Sequence, residues 1–224
     1  MTAIAVVVGL GIVGTAVLSG PAPTPEPTRA VTLVSPPDRG WTVPQDGESL
    51  GSPDAPVVVE VWSDYQCPIC GRFARDYLGR LVTEFVQPGT VRIVEQSIDI
   101  LGTGTPSESA LSAAAADAAG AEDRYWEFHD WLFWNQAGEN RGAFSRDRLV
   151  AMAERMELDL PAFERRLDSA DARAAVASRT NAALAAGIRS TPTFVVNGRA
   201  IVGLVPYDVL AGAIRDAAAA TTPP

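Results

Sequence analysis

The 224-residue chain has two cysteines, Cys67 and Cys70, both in the stretch "DYQCPIC". At i and i+3 on a helix they share one face about 5–6 Å apart, within the span of a disulfide. Three kinds of chemistry use such a pair: a structural staple, half of a metal site, or a redox couple that opens and closes. A staple across so short a loop would constrain little of the unfolded chain. Zinc needs a full tetrahedral ligand set, and the sequence adds one histidine, His129, to the two thiols. The redox reading asks only that the sulfurs differ. Pro68 suits the first turn of a helix, where its missing N–H costs nothing. Cys67 would then face unpaired backbone N–H groups and the positive end of the helix dipole, which favour thiolate over thiol. Its pKa is expected between ~4 and ~7, against ~8.5 for a free thiol. Cys70, one turn deeper, would be shielded and set to attack a mixed disulfide from inside.

The surrounding elements must hold that geometry. Val57–Trp62, "VVVEVW", is a short apolar run rich in β-branched residues and reads as a buried strand. Cys67–Phe85 reads as a helix with Cys67, Cys70, Phe73, Leu78, Leu81, Val82 and Phe85 near one face. "GTVRIVEQS" supplies a second strand, with Val91 and Ile93 in phase. Helices follow near 107–119, 123–135, 145–156, 161–167 and 171–186, with Gly187 placed as a C-terminal cap. Asn197-Gly198 between two apolar runs is a hairpin signal, because both turn residues need positive φ. "PYDVLAGAIRDAAAA" closes the chain's folded part with an amphipathic helix. The order is that of an α/β domain whose sheet is split by a helical insertion at about 99–187.

Three stretches carry a resemblance: "LGSPDAPVVVEVWSDYQCPIC", "YWEFHDWLFWNQ" and "GIRSTPTFVVNGRAIVG". Over about Ser49–Ala219 the sequence resembles the DsbA-like thiol-disulfide oxidoreductases, a thioredoxin-like α/β fold with an inserted α-helical block. The resemblance implies that Cys67 is the nucleophile and Cys70 the resolving cysteine. It implies a cis-proline at Pro192 facing the pair, with Thr191 before it offering backbone groups to an extended peptide. It implies a redox-active disulfide as the only redox group, with no metal or organic cofactor. Its partners would be unfolded or reduced exported proteins, and a membrane quinone-linked reoxidase. The expected activity is dithiol oxidation; a reductase or isomerase of the same fold, or a peptide-binding chaperone with an incidental CxxC, are the alternatives. Two departures stand out. Relatives often carry a buried acid six residues before the first cysteine, where this chain has Val61. Glu60 beside it points to the opposite face by strand alternation and is expected to be solvent-facing or structural. Pro68-Ile69 tunes the pair, and Ile69 stands where strongly oxidising relatives often have His, so a milder oxidant is expected.

Outside those stretches the chain carries other signals. Net charge is −9, from 27 acids against 18 bases, every base an arginine. No basic run tracks a phosphate backbone, so nucleic acid is not a partner. Ala3–Leu18 is apolar apart from glycines and one threonine. Residues 1–20 read as a transmembrane anchor or signal segment, and the missing basic n-region favours the uncleaved anchor. Residues 21–48, dense in proline, read as a tether, with Val31–Val34 or Trp41–Val43 as possible edge strands. Residues 49–224 form the thioredoxin-like domain. The expected location is the cell membrane, single-pass, with the catalytic domain extracytoplasmic, or secretion if the N-terminus is cleaved. His129 lies in an aromatic run and reads as core packing; Arg165-Arg166 and Arg146/Arg148 read as solvated helix faces.

Overall fold

A computed structural model describes residues 32–221. The expected anchor at 1–20 and the first part of the tether lie outside the described residues. Among the described residues no helix is long and apolar enough to cross a membrane.

Six strands form one sheet: β1 (Gln45–Asp46), β2 (Ser49–Leu50), β3 (Val57–Ser63), β4 (Val91–Ser97), β5 (Thr193–Val196) and β6 (Arg199–Val202). Their order is β1-β2-β4-β3-β5-β6. β3 and β4 run parallel, from Val57 opposite Val91 to Ser63 opposite Ser97; β5 is antiparallel to β3. Alternation decides the faces. Val57, Val59, Val61 and Ser63 are buried while Val58, Glu60 and Trp62 are half-buried on the other side. Asn197 and Gly198 both adopt positive φ between β5 and β6, as the hairpin signal requires.

The helix that carries the cysteines is not uniform. It runs as α1 (Pro68–Arg72), a π-helical turn (Phe73–Tyr77), α2 (Leu78–Leu81) and a second π-helical turn (Val82–Val86). A single regular helix was expected over this span. The apolar spacing explains the difference: Phe73 and Leu78 are five residues apart, and a 3.6-residue period would rotate one of them off the core face. In the π turn the Leu78 N–H donates to Phe73 O, an i→i+5 bond that returns both side chains to the core.

Between β4 and β5 lies the helical block: α3 (Glu108–Gly120), α4 (Tyr125–Trp134), α5 (Arg146–Arg155), α6 (Leu160–Leu167) and α7 (Ala170–Ala185). α3 is its centre. Ala113–Ala116, Ala118 and Ala119 are all buried, and their small side chains let α4, α6 and α7 pack closely around it. Ser107, Asp159 and Ser169 cap α3, α6 and α7 by accepting from the amides of Ala110, Ala162 and Ala172. Gly187, at φ +79, ends α7. α8 (Tyr207–Thr221) packs on β3 and β5.

Neither expected edge strand forms among the described residues; β1 and β2 pair instead around the tight turn at Gly47. Residues 32–44 lack regular structure but are docked. Asn135 exchanges bonds of 2.8 Å with both the amide and the carbonyl of Val34. Arg39 binds Asp130 at 2.7 Å, donates to Ala74 O at 2.8 Å, and lies between Trp41 and Trp134 at 5.1 and 4.9 Å from the ring centroids.

Candidate active site

The loop Asp64–Gln66 leads from the C-terminal end of β3 into α1, and a buried carboxylate shapes it. Asp64 Oδ1 accepts from Gln66 N at 2.9 Å and Ser109 Oγ at 2.7 Å. Its Oδ2 accepts from the amides of Ile100 and Leu101 at 3.0 and 2.9 Å. Burial pushes the Asp64 pKa up, and these four donors hold the rise in check. From the helical block, Gln136 Nε2 donates to Tyr65 O at 2.7 Å and Cys67 O at 2.9 Å, while Arg75 donates to Gln136 Oε1. Gln136 Oε1 occupies the space that a Cβ on residue 71 would need, so Gly71 is fixed by this clamp.

Cys67 is the N-cap of α1, in extended conformation, and Pro68 opens the helix. Its sulfur lies 3.4 Å from Thr191 O. The Thr191–Pro192 peptide bond is cis, and Pro192 O accepts from Gly203 N at 2.8 Å. Cys67, Cys70, Thr191 and Pro192 are therefore brought to one place, while Pro68 and Ile69 face solvent, Ile69 at 37% exposure.

The two thiols differ as electrostatics demands. A hydrogen bond from Cys70 lowers the Cys67 pKa from 9.0 to about 6, helped by Thr191 and the amides of Cys70 and Ile69 against partial burial. Cys70 is wholly buried, and burial pushes its thiol far up, as does the neighbouring Cys67. At neutral pH the pair is one thiolate and one thiol. We expect the alkylation rate of Cys67 to follow pH with a midpoint near 6. Stopped-flow labelling checks this, and a midpoint near ~8.5 would place Cys67 away from the helix start.

Other candidates fall elsewhere. His129 is buried in the aromatic layer, with ring centroids 4.8 Å from Phe133 and 5.9 Å from Tyr65. Glu60 lies on the face away from Val61 and accepts from Trp62 Nε1 at 2.9 Å. Arg146 pairs with Glu164 and Asp168 on the surface of the helical block. Among the described residues no cluster of three or more His, Cys, Asp or Glu side chains is arranged for a metal ion.

Three residues of this region escape a reading of the sequence. Asp64 stands in the cysteine stretch itself, but three of its four partners lie 36–45 positions downstream. Gln136 sits just past an aromatic helix with nothing to mark its reach. Glu95, 2% exposed, is directly opposite Val61 in the parallel register and hydrogen-bonded by Ser63 Oγ. An acid six residues before Cys67 is absent; a buried acid on the next strand is present.

Comparison with known proteins agrees with this arrangement. Residues 45–216 match the family described as "Thioredoxin". The chain is 36% identical over 173 residues to the Na(+)/H(+) antiporter NhaA 1 of Salinispora arenicola, covering 76% of this chain and 24% of that protein. It thus spans about a quarter of the length of that relative. It is 28% identical over 162 residues to the disulfide bond formation protein D of Bacillus subtilis, covering 71% of each. The crystal structure of oxidised BdbD from Bacillus subtilis superposes with a TM-score of 0.68 at 24% identity, over 85% of this chain and all of that one. The matched span, which takes in most of the chain, makes it a member of the thioredoxin family, with the fold that oxidised BdbD also has.

Proposed function

We propose that the protein is an extracytoplasmic dithiol oxidase that introduces disulfides into exported proteins through Cys67 and Cys70. The observation that carries this is the asymmetry of the pair: a sulfur ionised near pH 6 at a helix start, and a sealed partner held as thiol. A substrate thiolate attacks Cys67 Sγ of the oxidised pair, the Cys67–Cys70 bond breaks, and its electron pair leaves on Cys70 Sγ. A second substrate thiolate attacks the substrate sulfur of the mixed disulfide. Cys67 leaves as thiolate, and substrate and protein have exchanged two electrons. Thr191 and Pro192 border the sulfur and position the substrate backbone. Residues 1–20 serve as the membrane anchor, and a quinone-linked membrane protein restores the disulfide. A matching segment within proteins named as antiporters suits a domain that works beside a membrane.

The direction of electron flow follows from the potential. A lowered Cys67 pKa stabilises the reduced form only above that pKa. At pH 7 this is worth about 1 kcal/mol once solvent screening is allowed for, or some ~20 mV for two electrons. The interval between weak and strong oxidants of this fold is ~150 mV, so Ile69, uncharged, leaves the couple short of the extreme. Equilibration with a glutathione series should give a value between ~−270 and ~−120 mV. A potential at or below ~−270 mV would reassign the protein to disulfide reduction.

A further inference from the structure

We infer that Arg39, on the docked strap 32–44, is a positioning residue for thiol exchange at Cys67: it fastens the helix that carries the cysteines to α4, and so steadies the clamp on the Cys67 carbonyl. This rests on the thiol-exchange reading above and adds to the site a residue from outside the sheet and both helices. Residues 32–44 precede the span 45–216 that matches the thioredoxin family, so the likeness itself gives Arg39 no role.

Two arginines join the cysteine-bearing helix to α4. Arg75, on that helix, donates to Phe133 O at 2.6 Å and to Gln136 Oε1 at 3.3 Å. Arg39 belongs to neither helix. Its Nε and Nη2 donate to the two oxygens of Asp130 on α4, at 2.7 and 3.1 Å, and Nη2 also donates to Ala74 O at 2.8 Å. Ala74 and Arg75 are consecutive, and Asp130 lies almost one turn before Phe133. The two bridges are therefore neighbours at both ends. A planar guanidinium can serve a carboxylate and a carbonyl together, which a lysine ammonium does less well. Trp134, whose ring meets Arg39, is two residues from Gln136.

The consequence reaches the sulfur through the clamp. Gln136 Nε2 holds the carbonyls of Tyr65 and Cys67 while Arg75 holds its Oε1. Cys67 O also accepts from Gly71 N at 3.1 Å, which closes the first turn of α1. In that turn the amides of Cys70 and Ile69 favour the Cys67 thiolate. Their aim at Sγ follows the orientation of the Cys67 peptide group, and the clamp sets that orientation. Without Arg39 one bridge of two remains, the clamp loosens, and the amides swing off the sulfur.

The test uses the reduced full chain and two readouts: the pH midpoint of Cys67 alkylation, and the dithiol–disulfide equilibrium with glutathione and its disulfide at pH 7. Removing Arg39 alone would strand the buried Asp130, so the first variant is Arg39→Gln with Asp130→Asn, which removes both charges together. The second is Gly79→Leu. A Cβ on residue 79 would stand 3.2 Å from Arg39 Nη1, so leucine there displaces the guanidinium while favouring the helix. Misaligning one amide against a thiolate is worth about one pH unit. Both variants should raise the midpoint from about 6 to roughly 7. Alkylation at pH 6 should slow roughly fivefold, and the equilibrium at pH 7 should move roughly fivefold toward the protein disulfide. A lowered melting temperature with both readouts at wild-type values marks a purely structural strap and overturns the inference. So does a midpoint that moves in the double variant alone, which traces the effect to the lost carboxylate. A wild-type chain that never equilibrates with glutathione overturns the thiol-exchange reading itself, and the inference with it.

Discussion

Cys70→Ser should turn the protein into a trap. Its Cys67 thiolate, formed near pH 6, still attacks disulfides, but no internal thiol remains to release the adduct. Mixed disulfides with exported proteins and with the reoxidase should accumulate on non-reducing gels and vanish with thiol reductant. Cys67→Ser should give almost none. At pH 7 a thiol of pKa about 6 is roughly nine-tenths ionised, whereas one held above 9 is less than about one-hundredth ionised. Burial adds to that difference, because Cys70 is fully covered and Cys67 is the sulfur beside Thr191. The adduct yields of the two variants should therefore differ by roughly 100-fold or more. Adducts on Cys70 alone would reverse the roles. Silence from both variants would end the oxidoreductase assignment.

The largest effect on stability is expected at Asp64. Asp64→Ala removes the acceptor for three amides and one hydroxyl, of Gln66, Ile100, Leu101 and Ser109. A lost hydrogen bond is worth about 1 kcal/mol, and a donor left unpaired inside costs more. A loss of about 4 kcal/mol follows, or roughly 10 °C in melting temperature for a domain of this size. Asp64→Asn should lose about half as much, because an amide nitrogen would then face two N–H donors where Oδ2 accepts. The damage should reach function too, since the same carboxylate fixes the turn into Cys67. Calorimetry of the two variants decides it, and an unchanged melting temperature would show that water replaces the carboxylate.

Local rules made much of the fold legible from sequence. The alternation in Val57–Trp62, the helical spacing between residues 107 and 186, the Asn197-Gly198 turn and the cap at Gly187 depend on neighbours a few positions away, and the structure has them there. The cysteine spacing next to Pro68 likewise marks a helix start by itself. What stayed hidden depends on register and long reach. Glu95 is unremarkable within its strand and gains meaning only when the parallel pairing sets it opposite Val61. Gln136 reaches back 69 positions to the Cys67 carbonyl. The π turns hide because the same apolar residues fit a plain helix almost as well until Phe73 and Leu78 must both be inside. Residues 32–44 look like linker by composition, and only the paired contacts of Asn135 and Arg39 reveal them as part of the domain.

That docked segment changes the arithmetic of a leash. A tether of residues 21–48 would extend to roughly 100 Å at full stretch. With 32–44 held along α4 by Asn135 and Arg39, the tether of the proposed arrangement shortens to residues 21–31. Eleven residues reach at most roughly 40 Å, so the anchoring proposed above would confine the catalytic unit to a layer about one domain deep above the lipid. Such confinement would raise the effective concentration of whatever shares the layer and would favour partners already at the membrane.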